Sequence, residues 1–205
     1  MLNIHTLPLG DYQTNTYIVH APDSKGCVVI DPGYLPERIL REVTKLGLSV
    51  DAVLLTHGHF DHVGGVDQIV TATGCALWMS GSDWSQFPNP VTKFFYPLAN
   101  CDFCEVNFCE QDEIISGGGL KFHVYATPGH TYGSVCFLCG DALFSGDTLF
   151  AGSCGRTDLP GGDAKVMAEA LQWLSEALPE NLRIFPGHGE STTLEREKKY
   201  NPYLR

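Results

Sequence analysis

The segment Thr56–Gly65 concentrates side chains that can bind metal ions. Three histidines and one aspartate fall within six positions, namely His57, His59, Asp61 and His62. Imidazole nitrogens and carboxylate oxygens suit a borderline divalent metal such as zinc, and also iron or manganese. Because side chains at i and i+2 along a strand or its exit face the same way, we expect His57 and His59 to share one ion. This spacing predicts a metal site.

Three later segments each place a glycine beside one ligand-type residue, directly after a short apolar run. These residues are His130, Asp147 and His188. Glycine permits the tight backbone that projects a side chain into a cleft at a strand end. Open α/β sheets hold their sites at the carboxyl ends of strands, so we expect all four segments to meet at one sheet edge. Seven ligands would then suffice for two ions and a shared carboxylate, and His5, His20 and His123 lack this context.

Strands and helices alternate along the chain and must position these residues. The pattern predicts strands near 2–8, 15–20, 26–31, 52–55, 76–79, 120–126, 134–138, 142–145 and 182–185. It predicts helices near 35–46, 63–73, 163–177 and 193–199, with Thr192 and Glu195 as a capping box for the last. Residues 81–110 read as irregular and aromatic, either a lid or wall over the site or plain packing. The pattern alone supports a mixed α/β fold.

Length and charge limit the classes of function. At 205 residues the chain can bury a proper core, and we expect one domain over residues 1–205. The net charge of −11 argues against a nucleic-acid partner, since phosphate binding requires a basic surface. No apolar run has the length of a membrane span, and Met1–Pro8 lacks the pattern of a signal peptide. We therefore expect a cytoplasmic protein with no membrane partner.

The eight cysteines require a separate interpretation. Cys101 with Cys104, and Cys136 with Cys139, have the spacing of a zinc site. Residues three apart on a strand face opposite sides, however, so Cys136 and Cys139 could hardly bind one ion. We expect buried reduced thiols, which fit a cytosolic setting, and any redox or metal role of the pairs stays open. Cys154 is interpreted as a packing residue, with a redox-sensitive thiol as the alternative.

The motifs resemble those of the metallo-β-lactamase-fold hydrolases, in particular the short, single-domain glyoxalase II-like branch. The resemblance extends over nearly the whole chain, from residues 14–17 and 29–33 through 152–158 to 201–204. It implies a four-layer αββα sandwich. It also implies that His57, His59 and His130 hold one metal ion, that Asp61, His62 and His188 hold a second, and that Asp147 bridges them.

The same resemblance implies an activity. This activity is the hydrolysis of a thioester such as S-lactoylglutathione by a hydroxide that lies between two divalent ions. Zinc is the expected metal, and iron or manganese are the alternatives. Asp61 would bind metal and also orient the nucleophile. Arg156 would contact an anionic substrate, and the alternative is a surface salt bridge. Long glyoxalase II enzymes have a tyrosine where this chain has Asp158, and a C-terminal glutathione-binding domain that we expect to be absent because the sequence ends at Arg205.

Other functions remain open at this point. Persulfide dioxygenases share the fold and a glycine loop similar to Gly155–Asp158, and the resemblance maps their single iron to His57, His130 and Asp147. The form of Pro186–Gly189 fits the hydrolases better. Hydrolysis of another ester, a lactone, a lactam or a phosphodiester is possible within the fold, since a fold does not fix a substrate. A non-enzymatic metal-binding protein is the third class, and the oligomeric state is not predicted.

Overall fold

Two six-stranded sheets dominate the protein. The structure, a computed structural model, describes residues 2–85, 95 and 105–204. In these parts of the chain the strands also form one two-stranded hairpin. No helix within the described residues combines the length and apolarity that crossing a bilayer requires.

The first sheet contains the first six strands in sequence order. They are β1 Asn3–Leu9, β2 Thr14–His20, β3 Gly26–Ile30, β4 Ser49–Leu54, β5 Ala76–Met79 and β6 Val106–Phe108. β1 to β3 are antiparallel, whereas β3 to β6 are parallel. Parallel neighbours need a crossover, and helices lie between these strands. They are α1 Pro36–Lys45 between β3 and β4, α2 Phe60–Val63 and α3 Val66–Thr73 between β4 and β5, and α4 Gly81–Ser85 between β5 and β6.

The second sheet has the order β14-β13-β10-β9-β8-β7. Its strands are β7 Ile114–Gly117, β8 Leu120–Ala126, β9 Val135–Cys139, β10 Ala142–Gly146, β13 Arg183–Pro186 and β14 Thr192–Thr193. Only β10 and β13 pair in parallel. Their crossover contains the hairpin β11 Leu149–Phe150 and β12 Ser153–Cys154, then α5 Ala164–Ala177. The chain continues through α6 Leu194–Tyr200 and a 3-10 turn at Pro202–Leu204.

Three apolar clusters define the layers. The central cluster lies between the sheets, where Tyr17 and Leu54 of the first sheet join Phe122, Phe137 and Phe144 of the second. The outer face of the first sheet packs against α1 and α3, and the outer face of the second packs against α5. The order helix, sheet, sheet, helix confirms the four-layer αββα sandwich.

The cysteine prediction for β9 is confirmed. Cys136 packs beneath α5, whereas Cys139 packs between the two sheets, so their thiols lie on opposite faces. The two therefore cannot bind one ion. All six cysteines within the described ranges are free, and Cys154 alone among them is half-buried rather than buried. Cys101 and Cys104 lie outside the described residues.

The predicted helix over 63–73 is wrong in its boundaries, because two shorter helices, α2 and α3, replace it. Gly64 and Gly65 separate them. The Gly65 N–H donates to Pro32 O at 2.9 Å, and a Cβ at Gly65 would lie 2.6 Å from Gly33 O. The close approach of the loop after β3 therefore requires glycine here and interrupts the helix.

Two further predictions are wrong. The capping box is wrong by one residue, because Thr193 caps α6 by accepting from Arg196 N–H, and Thr192 instead donates to Glu197. The segment 81–110 is not irregular throughout, because it contains α4 and β6. The sequence analysis also missed β7, β11, β12 and β14, which are short. The rest of the expected lid or wall, residues 86–94 and 96–104, lies outside the described residues.

Candidate metal centre

The seven predicted ligands meet at one edge of the sandwich. His57, His59, Asp61 and His62 follow β4, His130 follows β8, Asp147 follows β10 and His188 follows β13. The first five are buried, while 11% of the Asp147 side chain and 28% of the His188 side chain are exposed. Strand ends from both sheets thus converge on one partly open site, as the sequence pattern predicts.

A first group consists of His57, His59 and His130. One nitrogen from each ring lies within 4.8 Å of the others. The three rings are almost mutually perpendicular, with interplanar angles of 82°, 82° and 87°. His59 Nδ1 and His130 Nε2 are 2.9 Å apart. Three nitrogens that converge from three directions match the open coordination of a divalent ion.

A second group consists of Asp61, His62 and His188. His188 Nε2 lies 3.2 Å from Asp61 Oδ2, and His62 Nε2 lies 3.6 Å from the same oxygen. Ligand atoms of all three fall within 4.8 Å of one another. This group offers one carboxylate oxygen and two imidazole nitrogens to a second ion.

Asp147 lies between the two groups. Its Oδ1 is 3.4 Å from His62 Nε2, and its Oδ2 is 3.5 Å from His130 Nε2 and 3.6 Å from His188 Nε2. One carboxylate thus faces nitrogens of both groups, which is the placement that a bridging ligand needs.

Asp31 orients two of the histidines, directly and through a threonine. It is 2% exposed, and its Oδ2 lies 2.9 Å from His62 Nδ1. Thr56 donates its backbone N–H and its hydroxyl to the same carboxylate at 2.8 and 2.6 Å. The Thr56 hydroxyl also lies 3.0 Å from His57 Nδ1. These contacts hold the Nδ1 side of both rings, so their Nε2 atoms face the centre.

Backbone carbonyls orient two further rings in the same way. His130 Nδ1 is 2.7 Å from Arg156 O, and His188 Nδ1 is 3.1 Å from Tyr12 O. A carbonyl only accepts hydrogen bonds, so in both rings Nδ1 donates and Nε2 is the nitrogen that faces the centre. Nε2 is therefore the atom that each ring can offer to a metal ion.

Buried polar atoms test whether metal ions fit this site. His57 Nε2, His62 Nε2 and Asp147 Oδ1 are buried and make no hydrogen bond to any described residue. The 3.4 Å between His62 and Asp147 exceeds the usual N–H···O range of about 2.7–3.2 Å. Buried polar atoms are costly to leave unsatisfied, and bound cations would satisfy these three. The donor set therefore fits divalent ions.

The imidazoles differ in their readiness to bind a cation. Burial and the neighbouring imidazoles lower the pKa of His57 well below its usual value and that of His59 to about 3. Both rings are therefore neutral at pH 7. Burial also acts to lower the pKa of His62, but Asp147 and Asp31 outweigh it and hold that pKa well above the usual value.

The two central carboxylates stay ionised. Burial acts to raise the pKa of Asp61, but His188 and His62 outweigh it and bring that pKa to about 2. Burial opposes ionisation of Asp147 too, and His62 and its neighbours still hold the pKa of Asp147 below the usual aspartate range. Both side chains thus present negative oxygens at neutral pH.

A seam of hydrogen bonds joins the two sheets beside the second group. Asn15 at the start of β2 donates its backbone N–H to Gly187 O at 2.7 Å. Thr14 forms a β-bridge with His188, and its hydroxyl donates to Asp61 Oδ2 at 3.0 Å. The two sheets are therefore hydrogen-bonded to each other at the edge that carries the centre.

A cavity of about 480 Å³ opens over the centre. Its apolar lining consists of Tyr12, Phe60, Phe95, Phe150 and Leu159. Arg156 also lines it and pairs with Asp158 through two hydrogen bonds of 2.7 and 2.8 Å. Both side chains of this pair are largely exposed. The surface salt bridge considered for Arg156 is present, and it lies at the rim of the site.

Three residues of the site were missed by the sequence analysis as functional. Asp31 stands in an apolar run followed by Pro-Gly, the same form as the ligand segments, and that signal could have identified it. Thr14 and Asp83 follow no such pattern. Asp83 on α4 is 1% exposed and contacts the loops on both sides of the first group.

Comparison with known proteins agrees with this architecture. The model of the Metallo-beta-lactamase superfamily matches residues 9–188. The hydroxyacylglutathione hydrolase GloC of Haemophilus influenzae is 32% identical over 209 residues, which cover 99% of this chain and 98% of that protein.

Two solved structures share both the fold and sequence identity with the chain. The crystal structure of TTHA1623 in a di-iron-bound form has a TM-score of 0.84 and 37% identity, covering 98% of this chain and all of that one. ETHE1 from Myxococcus xanthus has a TM-score of 0.84 and 28% identity, covering 98% of this chain and 83% of that one. With the two-sheet sandwich, the seven converging side chains and a family match over most of its length, the chain belongs to the metallo-beta-lactamase superfamily.

Proposed function

We propose that this metal-dependent hydrolase cleaves thioesters, as an enzyme of the glyoxalase II (hydroxyacylglutathione hydrolase) type. The observation that carries the proposal is Asp147 between two groups of candidate ligands, beneath an open cavity. The similarity to GloC over the full length of both chains supports the substrate class. S-lactoylglutathione is the first substrate to test.

The proposed ligands follow the two groups. One ion would be held by His57, His59 and His130. The other ion would be held by Asp61, His62 and His188, and Asp147 would contribute to both sites. When bound, such ions supply hydroxide at neutral pH and polarise a carbonyl group. We propose zinc, with iron or manganese as alternatives, because nitrogen and oxygen donors accept all three. The di-iron form of TTHA1623 supports iron as an alternative.

Asp61 is the proposed catalytic carboxylate. It stays ionised at neutral pH, with a pKa of about 2, and lies on the wall of the cavity. The Thr14 hydroxyl holds one of its oxygens. An ionised carboxylate fixed in this way can accept a hydrogen bond from a nucleophilic water and orient it toward the substrate. The departing thiol needs little protonation, because an ordinary thiol has a pKa of about 8.5.

The cavity walls suggest how a thioester would lie. Tyr12 and Phe60 contact edge to face, with ring centroids 5.2 Å apart, and Phe150 lies against His188 at 6.1 Å. These rings offer apolar surface to the carbon chain of the substrate. We propose that Arg156 binds an anionic group of the substrate. Breaking the ion pair between Arg156 and Asp158 to bind that group would cost little free energy, because exposed ion pairs are weak.

The wider setting is also a proposal. We propose that residues 1–205 act as one domain on a small-molecule substrate. The cytoplasmic location and the absence of nucleic-acid and membrane partners stay predictions from composition.

A substrate screen tests the function. The protein is prepared with zinc, iron or manganese and is assayed against S-lactoylglutathione, other thioesters, lactones and phosphodiesters. We expect release of free thiol from thioesters to be fastest. Cleavage of lactones or phosphodiesters without release of thiol from any thioester would overturn the proposal.

An oxygenase is the alternative from another class, because the Gly155–Asp158 loop is similar to that of the persulfide dioxygenases. Metal analysis and oxygen uptake with a persulfide are measured on the same preparations. We expect two ions per chain and no thiol-dependent oxygen uptake. One iron per chain together with such uptake would replace the thioesterase by an oxygenase.

A further inference from the structure

Asp83 is a buried carboxylate outside the seven candidate ligands. It lies on α4, directly after β5, and only 1% of it is exposed. Burial of an ionisable group is costly unless hydrogen bonds compensate it. Its surroundings therefore indicate what it does.

Three donors from two distant segments converge on this carboxylate. Its Oδ2 accepts from Gly58 N–H at 2.9 Å and from the Thr131 hydroxyl at 2.9 Å. Its Oδ1 accepts from Gly133 N–H at 2.7 Å. A Cβ at Gly133 would lie 2.7 Å from the same oxygen, so the loop closes tightly around Asp83.

Both segments carry members of the first group. Gly58 lies between His57 and His59, and Thr131 directly follows His130. One side chain thus ties together the two loops whose rings are 4.6 to 4.8 Å apart and nearly perpendicular. Asp83 itself is not among the residues whose ligand atoms converge.

We infer that Asp83 is a positioning residue that fixes the spacing of the three imidazoles of the first group and so sets the affinity of that group for its ion. The inference rests on the metal-ligand assignment of the proposed function and is independent of the thioester substrate. Groups that orient ligands in this way commonly change metal affinity about 10- to 100-fold when they are replaced.

Asp83→Asn is the most direct variant. All three partners donate, so all need an acceptor, whereas an amide has one oxygen and one NH₂ group. In either orientation the NH₂ group would face a donor, so at least one hydrogen bond to the two loops that carry the first group is lost. Thr131→Val is the milder variant, because it removes the hydroxyl and keeps both backbone donors.

Glu197 provides a matched control. It is also 1% exposed and accepts from Gly152 N–H and the Thr192 hydroxyl, both at 2.6 Å. It lies on α6 and also accepts from Arg196 and Asn201, which belong to neither loop of the first group. Glu197→Gln therefore perturbs a buried, hydrogen-bonded carboxylate away from those loops.

The experiment measures zinc affinity rather than turnover. Metal-free full-length variants are titrated with zinc against a chromophoric chelator, and their thermal midpoints are recorded. We expect Asp83→Asn to weaken one of the two binding steps about 10- to 100-fold, and Thr131→Val to weaken the same step less. Glu197→Gln is expected to lower the thermal midpoint and leave both steps unchanged.

A double-mutant cycle assigns the affected step. If Asp83 acts through the first group, Asp83→Asn adds no further loss of zinc affinity in a His130→Ala background. Unchanged affinity in Asp83→Asn, or an equal loss in Glu197→Gln, would overturn the inference. If Asp83→Asn does not fold, the zinc affinity of Thr131→Val tests the inference instead. Wild-type zinc affinity in Thr131→Val would then overturn the inference. Failure of thioester hydrolysis with intact zinc binding would affect only the substrate proposal.

Discussion

The histidines of the centre do not all present the same nitrogen. His57, His62, His130 and His188 are held at Nδ1 and direct Nε2 inward. His59 directs Nδ1 toward His130 instead. The two nitrogens differ in their distance from the backbone, so the ring orientation sets where each lone pair lies.

Replacing Asp147 tests the bridging position. Since its carboxylate faces both groups, Asp147→Ala is expected to weaken the binding of both ions and to abolish hydrolysis. His59→Ala is expected to abolish hydrolysis by loss of the first ion. Metal content per chain and thiol release are the measurements, with the exposed His123→Ala as control. Near-normal turnover in Asp147→Ala or His59→Ala would contradict the ligand assignment.

The cysteines should differ in reactivity. Burial raises the pKa of the Cys27 and Cys109 thiols to about 12, and of Cys136 and Cys139 to about 11. A raised thiol pKa keeps the unreactive neutral form up to higher pH, so these four stay protonated at pH 8. We expect the half-buried Cys154 to be alkylated first among these five. Peptide mapping after timed iodoacetamide treatment checks this, and early labelling of Cys136 would refute it.

At the scale of elements, the candidate site follows from strand exits. Each ligand segment combines an apolar run, a glycine and a ligand-type residue, and this local pattern indicated the seven side chains that the structure brings together. The supporting contacts were not predictable. Thr14 and Asp83 act across long sequence separations, and nothing in their own segments marks them. The split between α2 and α3 was missed for the same reason, because the approaching loop lies elsewhere in the sequence.

Gly187 tests how tightly the strand exits pack. A Cβ there would contact Asp147 Oδ1 and lie 2.6 Å from His62 Cε1. Gly187→Ala is therefore expected to displace the centre and to reduce kcat/KM about 100-fold, because a misplacement of about 1 Å can cost that much.

Gly74→Ala is the control for the Gly187 variant. Gly74 ends α3 at φ 66° and a Cβ there meets nothing within 4 Å. That variant should lose about 1 kcal/mol of unfolding free energy from backbone strain and keep its activity. Urea unfolding and kcat/KM distinguish the two variants, and full activity in Gly187→Ala would contradict the expected crowding.

At the scale of the whole molecule, each metal group draws on both sheets. The loop after β4 of the first sheet supplies four candidate ligands, and three strand exits of the second sheet supply the others. Bound ions should therefore stabilise the docked sheets as well as the loops.

Metal removal tests this link. A ligand that binds only the folded state stabilises it by about 2.7 kcal/mol at 100 times its Kd. For a chain of 205 residues this corresponds to a rise of roughly 5–10 °C in Tm. We expect EDTA to lower the Tm by that amount and excess zinc to restore it. Equal Tm values with and without metal would show that the ions do not couple the sheets.

The seam at Thr14 and Asn15 relates the centre to the internal motions of the protein. This seam and the second group share His188 and Asp61, so separating the sheets at this edge also pulls the second group apart. An ion held there can then escape during such an opening. The rate at which a chelator removes metal from the protein would therefore report how often the two sheets separate at this edge.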